Sequence, residues 1–325
     1  MTFTNGWEGP KVYASQLGPQ EVRADWAMPA PVTGIVPLRP LGVGDILGGA
    51  FRAVRYAPSV MLGLTFVALL VVQVVAVAVA FASGDALSTI LLPFGLPGND
   101  YGDTSLRSSL GFFANELAII VAGMGLIYTV VEAVAGRRTS PAAALRHIGR
   151  RLGAALALTV LIAIVLVAVM ALVGALIDAV GLPVILLLVF FGLPAALALN
   201  VKLLFVPCAV SVEQMGPLRA VARSWRLTGG VFWRTLGTYL LTLVIMWIPT
   251  ATISGVVITL TAWFFMGDVN LSTGSPAALA VTAAGSILSL VLTVPLVTAV
   301  QTLLYVDARI RREGYDIVLG EEIYG

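Results

Sequence analysis

Apolar residues run along this chain in six long stretches, separated by shorter segments where arginine, glycine and proline recur. Ser59 to Ala82 carries no charge, and Phe112 to Ala135 is apolar between Glu116 and Glu132. Leu152 to Ile177 follows, and Leu182 to Pro207 is interrupted only by Lys202. Thr235 to Gly267 and Val269 to Val306 are again charge-free. Crossing the hydrocarbon core takes about 20 apolar residues in a helix. Each stretch therefore predicts one membrane-spanning α-helix. The last two exceed one crossing and fall short of two, which implies tilt or a loop extension. The strict alternation of a lipid-facing barrel strand is missing. The expected fold is all-α, an integral membrane helical bundle of about six transmembrane helices.

The polar segments have a pattern of their own. Gly44 to Tyr56 places Ile46, Leu47, Ala50, Phe51 and Val54 on one helical face and Arg52 and Arg55 on another. Pro141 to Arg151 behaves likewise, and so does Gly216 to Arg226, where Leu218, Val221, Ala222 and Trp225 oppose Arg219, Arg223 and Arg226. Basic amphipathic helices of this kind lie in the membrane interface. Each precedes a pair of spans, so the unit is one interfacial helix, one span out and one span back, used three times. Phe51-Arg52 and Trp225-Arg226 are each followed twelve positions later by glycine, Gly63 and Gly237, whereas Leu145-Arg146 meets Gly153 sooner. The pattern predicts a threefold internal repeat.

Composition agrees with a lipid solvent. Hydrophobic residues make up 59% and charged residues 11% of the 325, with a mean hydropathy of +0.98. Soluble domains carry about twice that charge. The net charge of +2 says little as a sum, but its placement sets orientation. From Arg39 onward, fifteen arginines lie before span 1, between spans 2 and 3, between spans 4 and 5, and after span 6; the opposite loops hold only Arg107. Positive residues stay on the cytoplasmic side. Both termini are expected in the cytoplasm, in a multi-pass protein of a bacterial plasma membrane, which requires an even span count. Residues 1–40 contain five prolines from Pro10 to Pro37 and no apolar run. They read as a disordered cytoplasmic tail, followed by a membrane domain over 41–313 and a short tail over 314–325.

Little in the chain reads as chemistry. Glu116 and Glu132 are sixteen residues apart, about 24 Å along a helix, and cannot work as a carboxylate pair. Glu132 and Lys202 both fall near the cytoplasmic ends of their spans and are expected to form an intramembrane ion pair. Gln73, Asn115, Asn200 and Gln301 are expected to hydrogen bond between helices. His147, the sole histidine, lacks partners for a metal or a catalytic triad and reads as a surface residue. Cys208, the sole cysteine, reads as packed, and Gly229-Gly230 as a helix stop. Arg52, Arg55, Arg146, Arg150, Arg219, Arg223 and Arg226 are candidate contacts to anionic lipid headgroups, each worth about 1 kcal/mol near a charged leaflet. No catalytic, cofactor or metal residues are expected, and no nucleic acid partner.

Three stretches carry a family resemblance. They are Pro37-Leu38-Arg39-Pro40-Leu41 leading into Gly44 to Arg52, then Ser224 to Gly230 with Phe232-Trp233-Arg234, and finally Asp307 to Asp316. Together they resemble actinobacterial membrane proteins labelled as having a glycerophosphoryl diester phosphodiesterase membrane domain. At position 49 this chain has glycine where the resemblance implies an acidic residue. The label also implies a catalytic barrel of ~250 residues in relatives. One histidine and no acidic cluster leave no such hydrolase here. The expected role is a non-catalytic accessory or scaffold engaging lipids or a partner membrane protein. The alternatives are a transporter or flippase for a lipid or amphipathic molecule, and a membrane domain serving a separate phosphodiesterase.

Overall fold

The structure is a computed structural model that describes residues 34–37, 39–83, 106–181, 183, 187–264 and 276–315. Among these residues the chain forms nine α-helices and one π-helical turn. They are α1 (Val43–Tyr56), α2 (Pro58–Ser83), α3 (Leu106–Val134), α4 (Pro141–Val180), the π turn Leu188–Gly192, α5 (Leu193–Leu203), α6 (Val206–Val212), α7 (Pro217–Thr228), α8 (Phe232–Phe264) and α9 (Pro276–Glu313). Five described stretches are long and apolar enough to cross a membrane, and six with the bent pair α1–α2. The protein is therefore a multi-pass α-helical membrane protein, with helices where the hydropathy placed them.

The three amphipathic segments do not share one fate. The turn from α1 into α2 is 83°. Pro58 explains it, because proline disfavours helical geometry in the residue before it, and Ala57 sits at φ −138°, ψ 62°. Gly229 and Gly230 end α7 before α8 begins. Between Arg151 and Leu152 nothing breaks the ladder, so the middle segment is the first three turns of α4 rather than a separate interfacial helix. At 1.5 Å per residue α4 is about 60 Å long, twice the hydrocarbon thickness. Its basic start is continuous with the helix of its span. The threefold pattern holds for charge placement and fails for helix geometry in the middle unit.

Which faces pack also differs from expectation. The buried side of α1 is Ile46, Gly49, Ala50 and Ala53, and Phe51 is half exposed. On α7 the buried residues are Ala220, Ser224, Leu227 and Thr228, while Leu218 and Trp225 face outward. An interfacial helix has two apolar demands, protein on one side and lipid on the other. Small residues serve the first because they permit close backbone approach, which leaves the large ones for lipid.

Gly49 shows how tight that approach is. A β-carbon there would lie 2.6 Å from Val36 Cγ1 and 2.9 Å from Leu303 Cδ1. Any side chain at this position must displace the Val36 and Leu303 side chains. Overpacking of this kind costs roughly 1–3 kcal/mol. Gly49→Ala should lower the unfolding temperature by several degrees, and Gly49→Asp by more, in a thermal melt of the purified protein. An unchanged melt for both would refute the packing at this site.

The main core joins α1, α3, α6 and α9, with Phe205 and Tyr305 meeting edge to face at 5.8 Å. Ile35 and Val36 belong to this core, and the Ile35 amide donates to the Ala133 carbonyl at 3.2 Å. Packed chain thus begins before residue 41. The expected tails lie outside the described residues for positions 1–33 and 316–325.

Candidate functional site

The fourth span is broken at Leu204–Phe205, where α5 stops and α6 begins. A break inside a membrane frees backbone groups that must find partners in the protein. Ser224 on α7 supplies two: its hydroxyl donates to the Lys202 carbonyl at 2.7 Å and accepts from the Phe205 amide at 3.2 Å. Gln301 on α9 donates to the Leu204 carbonyl. The break is thereby fixed by two neighbouring helices.

From this break outward, the arginine-rich end of the bundle is held by two latches. In the first, the buried carboxylate of Asp307 accepts from the Leu41 amide at 2.8 Å and from Arg311 Nε at 2.9 Å. Arg234 Nη2 lies 3.6 Å from the same carboxylate. Arg234 and Arg311 both also donate to the Leu41 carbonyl. One residue of the N-terminal segment is thus gripped at both its backbone groups by α8 and α9. In the second latch Arg223 on α7 donates through Nε to Glu213 at 2.9 Å and through Nη2 to Glu313 at 2.8 Å. Arg309 approaches the same two carboxylates, at 3.8 Å and 3.2 Å, and the Tyr305 hydroxyl donates to Glu213. Burial alone would push Arg223's ionisation down. The hydrogen bonds and charges of Glu313 and Glu213 outweigh it and hold the guanidinium above its ordinary range.

The expected site residues divide accordingly. Arg52, Arg55, Arg146, Arg150, Arg219 and Arg226 are exposed, as a headgroup contact requires. Arg223 is not available to lipid, because its side chain is 12% exposed and its donors are spent on two carboxylates. Glu132 and Lys202 do not pair with each other. Glu132 reaches Arg137 just beyond its own helix at 3.2 Å, and the Lys202 ammonium sits 5.3 Å and 5.5 Å above the rings of Trp225 and Phe232. His147 is half buried, stacked on Tyr128 at 4.5 Å and 3.1 Å from the Ser211 hydroxyl. Asn200 is exposed, Gln301 bridges helices as expected, Cys208 is buried, and the side chains of Gln73 and Asn115 lie outside the described residues. Among the described residues no three His, Cys, Asp or Glu side chains are grouped to hold a metal ion.

Asp307, Glu313 and Glu213 were missed as site residues. A signal for two of them was present: Asp307 stands four positions before Arg311, and Glu313 four after Arg309, the spacing of facing partners on a helix. Glu213 has no comparable local signal.

A family described only as a domain of unknown function, DUF7847, matches residues 41–308, most of the chain. The chain belongs to this family. No curated protein and no solved structure matches it. In this DUF7847 chain the matched stretch opens on Leu41 and closes one residue past Asp307. Its first residue and its penultimate one are hydrogen bonded to each other. The family segment therefore closes on itself through the first latch, while Arg309, Arg311 and Glu313 of the two latches lie past its end.

Proposed function

We propose that this protein is a non-catalytic membrane scaffold that gathers anionic lipid around its arginine-rich end, with that end in the cytoplasm of a bacterial plasma membrane. The division of the arginines into two populations carries this reading. Arg223, Arg234, Arg309 and Arg311 are bound to carboxylates and lock α7, α8, α9 and the N-terminal segment together. Arg52, Arg55, Arg146, Arg150, Arg219 and Arg226 are exposed on α1, α4 and α7. A rigid frame presenting cations that no described carboxylate pairs with suits an anionic leaflet, which attracts each by about 1 kcal/mol. The Leu, Val, Ile and Ala packing of the core supports a frame that stays closed.

The test is lipid analysis of protein purified from native membrane. Replacing the six exposed arginines with glutamine should strip most of the copurified acidic phospholipid and leave the unfolding temperature unchanged. Arg223→Gln should do the reverse. Retention of acidic lipid by the six-site variant would refute the scaffold reading. Cysteines introduced at 139 and 104 should react from the cytoplasmic and the outer side respectively; the opposite pattern would invert the orientation.

Transport of a lipid or amphipathic molecule is the second reading, favoured by the π turn and the break in the fourth span, features that recur where membrane helices bind substrates. Movement of labelled phospholipid across vesicles by the purified protein would select it over the scaffold.

A further inference from the structure

We propose that Lys202, Arg226 and Arg312 form one discrete site for a phosphate-bearing group at the turn between α7 and α8. The inference deepens the lipid reading above by assigning it a location. Three observations meet there. Lys202, on the last turn of α5, holds its ammonium over two aromatic faces, Trp225 at the end of α7 and Phe232 at the start of α8. Aromatic faces attract a cation but do not neutralise it, and no carboxylate pairs with Lys202 among the described residues.

Arg312, one helix away, lies against the Gly229-Gly230 turn and donates through Nη1 to the Arg226 carbonyl. A β-carbon on Gly230 would come within 3.1 Å of that guanidinium, so the turn and Arg312 pack closely. Arg226 itself is exposed at the end of α7, and no carboxylate among the described residues pairs with it. Among the described residues, the acids nearest this cluster are committed elsewhere. Glu313, the neighbour of Arg312, is held by Arg223 and Arg309, and Asp307 by Arg311 and Arg234.

The result is three cations at a turn where the described residues place no counter-charge. Two are arginines, whose planar forks match phosphate oxygens, and the third is a lysine, which serves as a point charge. The rings of Trp225 and Trp233 flank the turn and face outward, as tryptophan does at the level of headgroups. That depth and chemistry fit the phosphate of a phospholipid headgroup. A soluble phosphate would satisfy the same three cations, and the test separates the two sources.

Purified protein in neutral detergent would be titrated with phosphatidylglycerol and, in parallel, with phosphatidylcholine, counting retained lipid by native mass spectrometry. Wild type should hold a phosphatidylglycerol that Lys202→Gln/Arg226→Gln binds at least roughly tenfold more weakly. Lys202→Arg should retain binding, and Arg52→Gln/Arg55→Gln should not weaken this one lipid. Inorganic phosphate at millimolar concentration should fail to displace it; displacement would keep the site and make its ligand a soluble phosphate. Melting temperatures within a degree of wild type show that each variant is folded, and Arg312→Gln provides an independent variant if the double one melts early. If wild type and the Lys202/Arg226 variant bind alike while Arg52→Gln/Arg55→Gln loses lipid, the site is overturned and the general lipid reading stands. If wild type shows no preference for phosphatidylglycerol, both fall together.

Discussion

Asp307→Ala is expected to destabilise the folded protein by about 3–5 kcal/mol, the usual cost of removing one partner from a buried charge cluster. The carboxylate is almost fully buried and is shared by the Leu41 amide, Arg311 and Arg234. Its loss leaves two guanidinium groups without their counter-charge and one backbone amide without an acceptor. The guanidinium contacts to the Leu41 carbonyl would remain, so the N-terminal segment should loosen before the bundle opens. Cys208 gives a direct readout, since it is the chain's single cysteine and is fully buried. A thiol-reactive fluorophore should label it at an apparent midpoint lower by on the order of ten degrees. Asp307→Asn, which keeps an acceptor for the Leu41 amide, should fall between. Equal midpoints for wild type and Asp307→Ala would show that the first latch does not hold the fold.

Glu213→Ala should come next in size, at roughly 2–4 kcal/mol by the same reasoning. Glu213 accepts from Arg223 and from the Tyr305 hydroxyl, and Arg309 stands 3.8 Å away. Tyr305 is a core residue, so removal of its acceptor strands a buried hydroxyl. Arg223 would keep Glu313 alone. A double-mutant cycle isolates the shared term: Tyr305→Phe costs about 1–2 kcal/mol in wild type and much less once Glu213 is alanine. Strict additivity of the two would mean that Tyr305 and Glu213 do not interact. Lipid retention should be unaffected in all three variants, which separates the latch from the exposed arginines.

These predictions rest on residues that the linear pattern did not single out. Asp307 and Glu313 could be read only as helix-spaced neighbours of Arg311 and Arg309. Their further partners, Leu41 and Arg223, lie 266 and 90 residues away in the chain. Arg223 was legible as one of three arginines on an amphipathic helix, alike in spacing to Arg219 and Arg226. Only the placement of α6 and α9 against α7 makes it a latch while the other two stay exposed. Lys202 is the same kind of case. A basic residue in an apolar span implies a partner, and Glu132 was the nearest acid at the same depth. The helix packing instead brought Trp225 and Phe232 beneath the ammonium and left Glu132 to Arg137.

What the sequence by itself determined is the set of apolar crossings, their basic ends and two of the three amphipathic helices, α1 and α7. These follow from sums over adjacent residues: transfer into lipid adds along a stretch of about 20 positions, and proline or glycine ends a helix where it stands. The tertiary structure alone decided which faces of α1 and α7 turn to protein, that Gly49 packs directly against Val36 and Leu303, and how the arginines divide between latch and surface. A charged group's partner is whatever the neighbouring helix brings within about 4 Å, and that is set by close packing of small residues between distant segments, which no local pattern encodes.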